Sequence, residues 1–144
     1  MNQPSISWYI KEDDDYIQDN DYYLGSFSSS SDILMKVQVW NNRYGNESVE
    51  DIENARLSIY FDTVEDSSLL QYCTISINND EFIQPEIYLN RATINIGTLL
   101  GTFNSGMDNE KNIDNYKNII IKFSNMPTNL KNGLKNLFLD IEFD

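Results

Sequence analysis

Residues 33–39, ILMKVQV, and residues 55–61, ARLSIYF, decide the fold of this chain. Each stretch carries an apolar side chain at every second position, so the apolar side chains of a stretch share one side of an extended strand. A helix would instead bring together residues three and four apart, and the chain has no convincing stretch with that spacing. Both stretches therefore predict β-strands with one buried face.

The same alternation recurs between turn-forming residues along the chain. It predicts strands at 5–10, 22–27, 32–40, 55–61, 69–77, 92–99, 116–123 and 135–143. Pro85 has no backbone N–H to donate, so the segment 82–89 is expected at a sheet edge or broken into two pieces. Eight or nine strands without a helix predict an all-β fold, an antiparallel sandwich of two sheets.

The length of 144 residues suits one domain that buries roughly two thirds of the surface of its unfolded chain. We therefore predict a single domain over residues 1–144. Aspartates disfavour strand and helix interiors, so the acidic segment 11–21 is predicted to be a loop. The polar stretch 101–115 predicts a long exposed loop, and a loop of that length is either functional or mobile.

Composition and charge disfavour several classes of function for this chain. The chain has no histidine, one cysteine and a net charge of −13, and it contains no glycine-rich phosphate loop or nucleophile motif. Catalysis and cofactors are therefore not expected, and the charge disfavours binding to nucleic acid or to an anionic membrane. Cys73 falls on an alternating run and is expected to be a buried free thiol. No export signal or membrane span is predicted, which favours the cytosol or an assembly made there.

Two pairs of motifs follow one another in a familiar order. Residues 37–42 (VQVWNN) precede 55–59 (ARLSI), and residues 94–99 (INIGTL) precede 119–123 (IIIKF). This order resembles immunoglobulin-like modules of bacterial surfaces and phage virions, in which a V-x-V-x-N strand leads to an A-x-L-x-I strand and an I-x-I-G-T-L strand leads to an I-x-I-x-F strand. The resemblance spans roughly residues 33–123. The inserted stretch 101–115 departs from it, since such modules usually have a short turn there.

The resemblance implies an immunoglobulin-like sandwich. It also implies a cell-surface, stalk or virion accessory module that serves adhesion or reinforces an assembly. No functional residue is carried over from the modules, because the inserted stretch has no counterpart in them.

Aromatic residues in the first third of the chain are candidates for an interface. Tyr22, Tyr23 and Tyr44 lie beside loop signals, where an aromatic ring can anchor a protein partner or stack on a sugar. Packing in the core or at a sheet edge is the alternative for each. Trp40 is expected to close the sandwich core, since it ends a central strand.

Clustered carboxylates supply the oxygen ligands that calcium prefers. The candidates are residues 13–15 and the group Asp62, Glu65 and Asp66, but neither set has the spacing of a defined calcium loop. Solvated acidic loops are the alternative interpretation.

The function that these observations favour is a non-enzymatic structural or accessory protein of a bacteriophage virion, such as a capsid decoration protein. Its expected partners are other virion subunits, such as the major capsid protein, or copies of itself. It would be located in the virion and assembled in the cytoplasm of the bacterial host. A carbohydrate-binding or adhesion module is the alternative, and a glycoside hydrolase with paired carboxylates is a third class.

Overall fold

The structure, a computed structural model, describes residues 2–10, 15–17, 22–23, 32–127 and 136–144. Its strands are β1 (Ile6–Ile10), β2 (Asp15–Ile17), β3 (Tyr22–Tyr23), β4 (Ile33–Asn41), β5 (Ile52–Phe61), β6 (Cys73–Ile77), β7 (Glu86–Tyr88), β8 (Arg91–Leu99), β9 (Tyr116–Phe123) and β10 (Leu137–Glu142). Two 3-10 helices, Glu65–Tyr72 and Glu110–Asn115, precede β6 and β9.

The strands form two five-stranded sheets. Sheet I has the order β2-β1-β4-β9-β6, and sheet II has the order β3-β10-β5-β8-β7. All strand pairs are antiparallel. The all-β, two-sheet antiparallel sandwich that the alternation predicts is therefore confirmed.

The chain winds back and forth between the two sheets. From β4 to β10 the chain crosses from one sheet to the other at every connection except the β7–β8 hairpin. An immunoglobulin domain instead keeps its last two strands side by side in one sheet. Here β9 lies in sheet I and β10 in sheet II, so the immunoglobulin-like strand order is not observed. The motifs that suggested this order reflect only the alternation of apolar and polar residues within single strands. That alternation does not depend on which strands pair with one another.

The core fills the space between the inner faces of the sheets. Sheet I contributes Trp8, Ile75, Ile119, Ile121 and Phe123, and sheet II contributes Leu57, Ile59, Ala92, Leu99 and Leu139, all buried. Full burial of one such aliphatic side chain contributes about 1.5–3 kcal/mol. Cys73 belongs to the same core as a free thiol, and burial raises its pKa to about 12. The expectation of a buried free thiol is thus met.

Two segments differ from their predicted structure. Residues 69–72 belong to the first 3-10 helix rather than to the strand that contains Cys73. Leu69 and Leu70 are adjacent and both buried, which a helical turn allows and a strand with one buried face does not. The acidic segment 11–21 contains β2, which pairs with β1 as the outermost strand of sheet I. The other residues of that segment lie outside the described ranges.

Trp40 is buried, but not in the sandwich core. It faces the outer side of sheet I, where its ring stacks on Tyr116 with centroids 4.5 Å apart, and Tyr9 completes a second, small cluster. The alternation explains the position, because Val37 and Val39 face inward and their neighbours along β4 therefore face outward. It is Trp8 that fills the sandwich core.

Candidate functional site

Tyr44 is the candidate interface residue whose side chain the structure describes. The side chain is 65% exposed, in the connection between β4 and β5. Its backbone has a φ of 63°, a left-handed conformation that is uncommon for a bulky residue. Tyr44 packs against Gly106, where a Cβ atom would collide with the tyrosine ring. The surrounding structure therefore holds an exposed aromatic ring in a strained position.

Tyr22 and Tyr23 form β3, the edge strand of sheet II, and their backbones pair with Leu139 and Phe138 of β10. Their side chains lie outside the described part of the structure. Their role as partner-binding residues stays a prediction.

Buried asparagine side chains fix the stretch 101–115 against the β4–β5 connection. Asn42 donates through Nδ2 to the carbonyl oxygens of Glu47 and Gly101, at 2.9 and 2.8 Å. Asn104 donates through Nδ2 to the carbonyl oxygen of Asn42 at 2.9 Å, and its Oδ1 accepts from the Gly106 N–H at 2.7 Å. These amides satisfy backbone groups that strand pairing leaves free.

Two further asparagines fix the second half of the same stretch. Asn112 donates through Nδ2 to the carbonyl oxygen of Met107 at 2.7 Å, and Asn115 donates to that of Leu100 at 2.8 Å. Asn104, Asn112 and Asn115 are all buried. The prediction of a long exposed loop is confirmed in part: ten of the fifteen residues are exposed, but the stretch also contains a 3-10 helix and an internal network of amide hydrogen bonds.

Arg43 joins this network to the outer side of sheet I. Its guanidinium lies 4.0 Å from the ring centroid of Tyr9 and 4.7 Å from that of Trp40, and its Nε donates to the carbonyl oxygen of Gly106 at 2.9 Å. Gln38 Nε2 donates to Asp108 Oδ2 at 3.2 Å. The segment around Gly106 thus lies over the outer face of sheet I.

Large apolar side chains project from the two connected segments. We define the loop platform as the exposed residues Tyr44, Phe103, Met107 and Ile113. The rim of the platform is acidic: Glu47, Asp108, Glu110 and Asp114 are exposed on segments 42–48 and 101–115, and Lys111 is the exposed cation there. A fixed apolar surface limits the conformational entropy lost when a partner binds.

A second exposed apolar surface lies at the side of the sandwich. We define the edge patch as Phe82, Ile83, Ile87, Tyr88 and Leu89, all exposed. Ile83 bridges to Ile75 of β6 in sheet I, whereas β7 is the edge strand of sheet II. The chain changes sheet at Pro85, so the predicted break and the predicted edge position of 82–89 are both observed.

The turn that ends the edge patch is strained. Leu89 and Asn90 form the two-residue loop of the β7–β8 hairpin, with φ angles of 48° and 65°. Positive φ at both positions is the type I′ turn, which favours asparagine and glycine. Leucine at the first of them is 76% exposed, so neither backbone preference nor burial explains it.

Carboxylates line an open groove of about 630 Å³ between residues 48–54 and the last residues of the chain. Asp51 Oδ1 accepts from the Gly101 N–H at 2.8 Å, and Asp144 pairs with Arg56 at 3.2 Å. Two of the acids in the groove therefore have structural partners.

Asp62, Glu65 and Asp66, the calcium candidates that the structure describes in full, are not brought together as a metal site. Among the residues that the structure describes, no three histidine, cysteine, aspartate or glutamate side chains are grouped as a metal site. Asp13 and Asp14 lie outside that set. Neither 3-10 helix in the described ranges has the length and apolar character that a membrane-spanning helix needs.

Sequence reasoning missed the asparagine network and the edge patch. Asparagine is as common in solvated turns as in buried ones, so its type alone did not distinguish them. The available signal for the edge patch was the run Ile87–Asn90, where leucine stands in a turn that favours glycine or asparagine. Comparison of the chain with protein-family models, with curated proteins and with solved structures found no match.

Proposed function

We propose that this protein is a non-enzymatic structural component of a bacteriophage particle, attached to neighbouring subunits through the edge patch. The observation that carries the proposal is the group of five exposed apolar side chains of the edge patch, which lie on both sides of an edge strand and in the segments next to it. Soluble monomers rarely expose contiguous large apolar surfaces, and such surfaces usually mark interaction sites.

The position of the edge patch suits attachment to another protein. Edge strands have unpaired backbone groups, and proteins usually protect them with charge, proline or a covering segment. Here Pro85 shortens the edge, but Ile87, Tyr88 and Leu89 present apolar side chains next to it. Burial of each large side chain against a partner would contribute about 1.5–3 kcal/mol before the cost of association.

Composition and fold support the same class of protein. The absence of histidine and of nucleophile motifs from the sequence disfavours acid–base and covalent catalysis. Two-sheet β-sandwiches carry many unrelated functions, so the fold is compatible with a particle component without choosing it.

The test uses particles from the genome that encodes this chain. Purified particles are analysed by mass spectrometry, first with the natural chain and then with the variant Tyr88→Thr/Leu89→Asn. Threonine suits an edge strand and asparagine suits the type I′ turn, so the variant should fold while it loses apolar surface. We expect the natural chain in the particle and at least a tenfold loss of the variant.

Val64→Asn is the matched control, because Val64 is 73% exposed in the connection between β5 and the first 3-10 helix, outside the edge patch. It should be incorporated like the natural chain. Particles that lack the natural chain, or that retain the edge variant in full, would refute the proposal.

Carbohydrate binding is the second candidate, and the exposed rings of Tyr44 and Phe103 on the loop platform favour it. Aromatic rings on a fixed surface can stack on sugars. A glycan array tests this candidate directly: binding that Tyr44→Ala and Phe103→Ala abolish would establish it, and an array without signal would reject it.

A further inference from the structure

The outer face of sheet I has a cationic surface beside the loop platform. We define the lysine face as Leu34, Lys36, Ile120 and Lys122. Cross-strand pairing sets Leu34 beside Lys122 and Lys36 beside Ile120, so that apolar and cationic side chains alternate in a compact square. A hollow of about 230 Å³ lies there, lined in part by Lys36, Asn79 and Ile120.

The lysine face is unusual in a chain with a net charge of −13. Strands β4, β6 and β9 carry no carboxylate on their outward positions, which are Leu34, Lys36, Gln38 and Trp40 on β4, Thr74 and Ser76 on β6, and Tyr116, Asn118, Ile120 and Lys122 on β9. The lysine face is therefore an apolar surface with cations, and it lies next to the loop platform, which is an apolar surface with an acidic rim.

The two surfaces adjoin on the same side of the molecule. Gln38 donates to Asp108 of the segment that covers sheet I, and Lys36 lies one outward position further along β4. Successive outward positions of a strand are about 7 Å apart. Two copies placed face to face can therefore make the same contact twice, which is the geometry of a twofold interface.

We propose that two copies of this chain form a twofold dimer in which the loop platform of each copy docks on the lysine face of the other. Tyr44, Phe103, Met107 and Ile113 then cover Leu34 and Ile120. The acidic rim meets Lys36 and Lys122.

Charge complementarity favours this arrangement. Two copies with a charge of −13 each repel one another over most of their surfaces. A contact between copies gains attraction only where lysines meet carboxylates, and the platform and the lysine face supply both in one region. Exposed ion pairs contribute about 0.2–1 kcal/mol each, so several across the interface make a measurable difference.

The test is charge reversal and rescue, measured by sedimentation equilibrium at micromolar concentrations of the whole chain. We expect the natural chain to dimerise. Lys36→Glu/Lys122→Glu and Glu110→Lys/Asp114→Lys should each raise the dissociation constant of the dimer at least tenfold. The four changes together should restore dimerisation, because the signs are exchanged but still complementary.

Glu53→Lys/Glu65→Lys is the matched control. Both acids are exposed outside the two surfaces, and the control changes the net charge by the same amount as Glu110→Lys/Asp114→Lys. Reduced repulsion between copies should leave its dimer as strong as the natural one or stronger. Equal weakening by the control and the platform variant would overturn the proposal.

A natural chain that stays monomeric, or a quadruple variant that is not rescued while its circular dichroism is native, would also overturn the proposal. Lys122 Nζ lies 5.5 Å from the ring centroid of Phe82, so the lysine face borders the edge patch. The particle test changes Tyr88 and Leu89, however, and the dimer test changes neither of them. Incorporation into particles and dimerisation can therefore fail independently.

Discussion

Asn104 shows how a single buried amide holds a long connection in place. Its Nδ2 donates to the carbonyl oxygens of Asn42 and Thr102, and its Oδ1 accepts from the Gly106 N–H. Truncation would leave the buried Gly106 N–H without this acceptor and would take one donor from each carbonyl oxygen, although Gly45 N–H still donates to Asn42 and Asn115 Nδ2 still donates to Thr102. We expect Asn104→Ala to lower the free energy of unfolding by about 2 kcal/mol, measured by urea denaturation.

Asn95→Ala is the control for this prediction. Asn95 Oδ1 accepts from the Gly97 N–H at 2.7 Å, the same local bond that Asn104 makes, but at an exposed position. Water can replace the lost group there, so the cost should stay below about 0.5 kcal/mol. Equal costs for the two variants would mean that burial of Asn104 is not what makes its amide important.

At the scale of elements, the alternation of apolar residues predicted the bounds of individual strands, because these bounds depend on one strand alone. The bounds of β9 were predicted correctly at 116–123, because apolar side chains at Ile119, Ile121 and Phe123 mark one face without interruption. The pairing partners could not be predicted in the same way. Whether β9 lies beside β10 or beside β4 and β6 depends on contacts between residues that are far apart in sequence.

The loop platform was unpredictable for a related reason. Tyr44 was selected because it stands beside a turn, and it is exposed. Phe103 and Met107 come from a stretch more than fifty residues away, which is brought alongside by buried asparagines and by further hydrogen bonds at Arg43 and Gly101. A sequence shows asparagine at both places but not the hydrogen bonds between them.

Gly101 is one of the points at which these two connections approach closely. Its carbonyl oxygen accepts from the Val49 N–H at 2.8 Å, and a Cβ atom at this position would collide with the carbonyl oxygens of Val49 and Glu50. We expect Gly101→Ala to separate the connections, to cost about 1–3 kcal/mol in unfolding free energy, and to weaken the dimer by displacing the platform.

Gly97→Ala separates this steric effect from backbone strain. Gly97 has a φ of 86° and nothing within 4 Å of an added Cβ, so the variant suffers strain without a collision. It should lose stability while its dimerisation stays unchanged. Weakened dimerisation in both variants would indicate that overall stability, not the approach of the two connections, controls the platform.

At the scale of the whole molecule, the residues that stabilise the sandwich are different from the residues that we propose bind partners. The inner faces hold the core, while the edge patch, the loop platform and the lysine face lie outside it on edges, connections and an outer face. Surface substitutions of this kind usually change stability by less than about 0.5 kcal/mol. Binding variants can therefore be compared with little interference from folding.

Cys73 links the stability of the core to pH, because burial in the core disfavours the ionised form of its thiol. Burial raises its pKa from 9.0 to about 12. Between these values the unfolded chain releases a proton that the folded chain keeps, so the free energy of unfolding falls as pH rises, by about 1.4 kcal/mol per pH unit. Below pH 9 both states hold the proton, and this contribution to stability is fully present.

Cys73→Ala, which lacks the thiol, is measured alongside the natural chain. Urea denaturation from pH 8 to pH 10.5 should show the natural chain losing its advantage over Cys73→Ala by up to about 2 kcal/mol. A constant difference between the two chains across this range would mean that the thiol ionises without unfolding. The region around β6 would then open separately from the rest of the core.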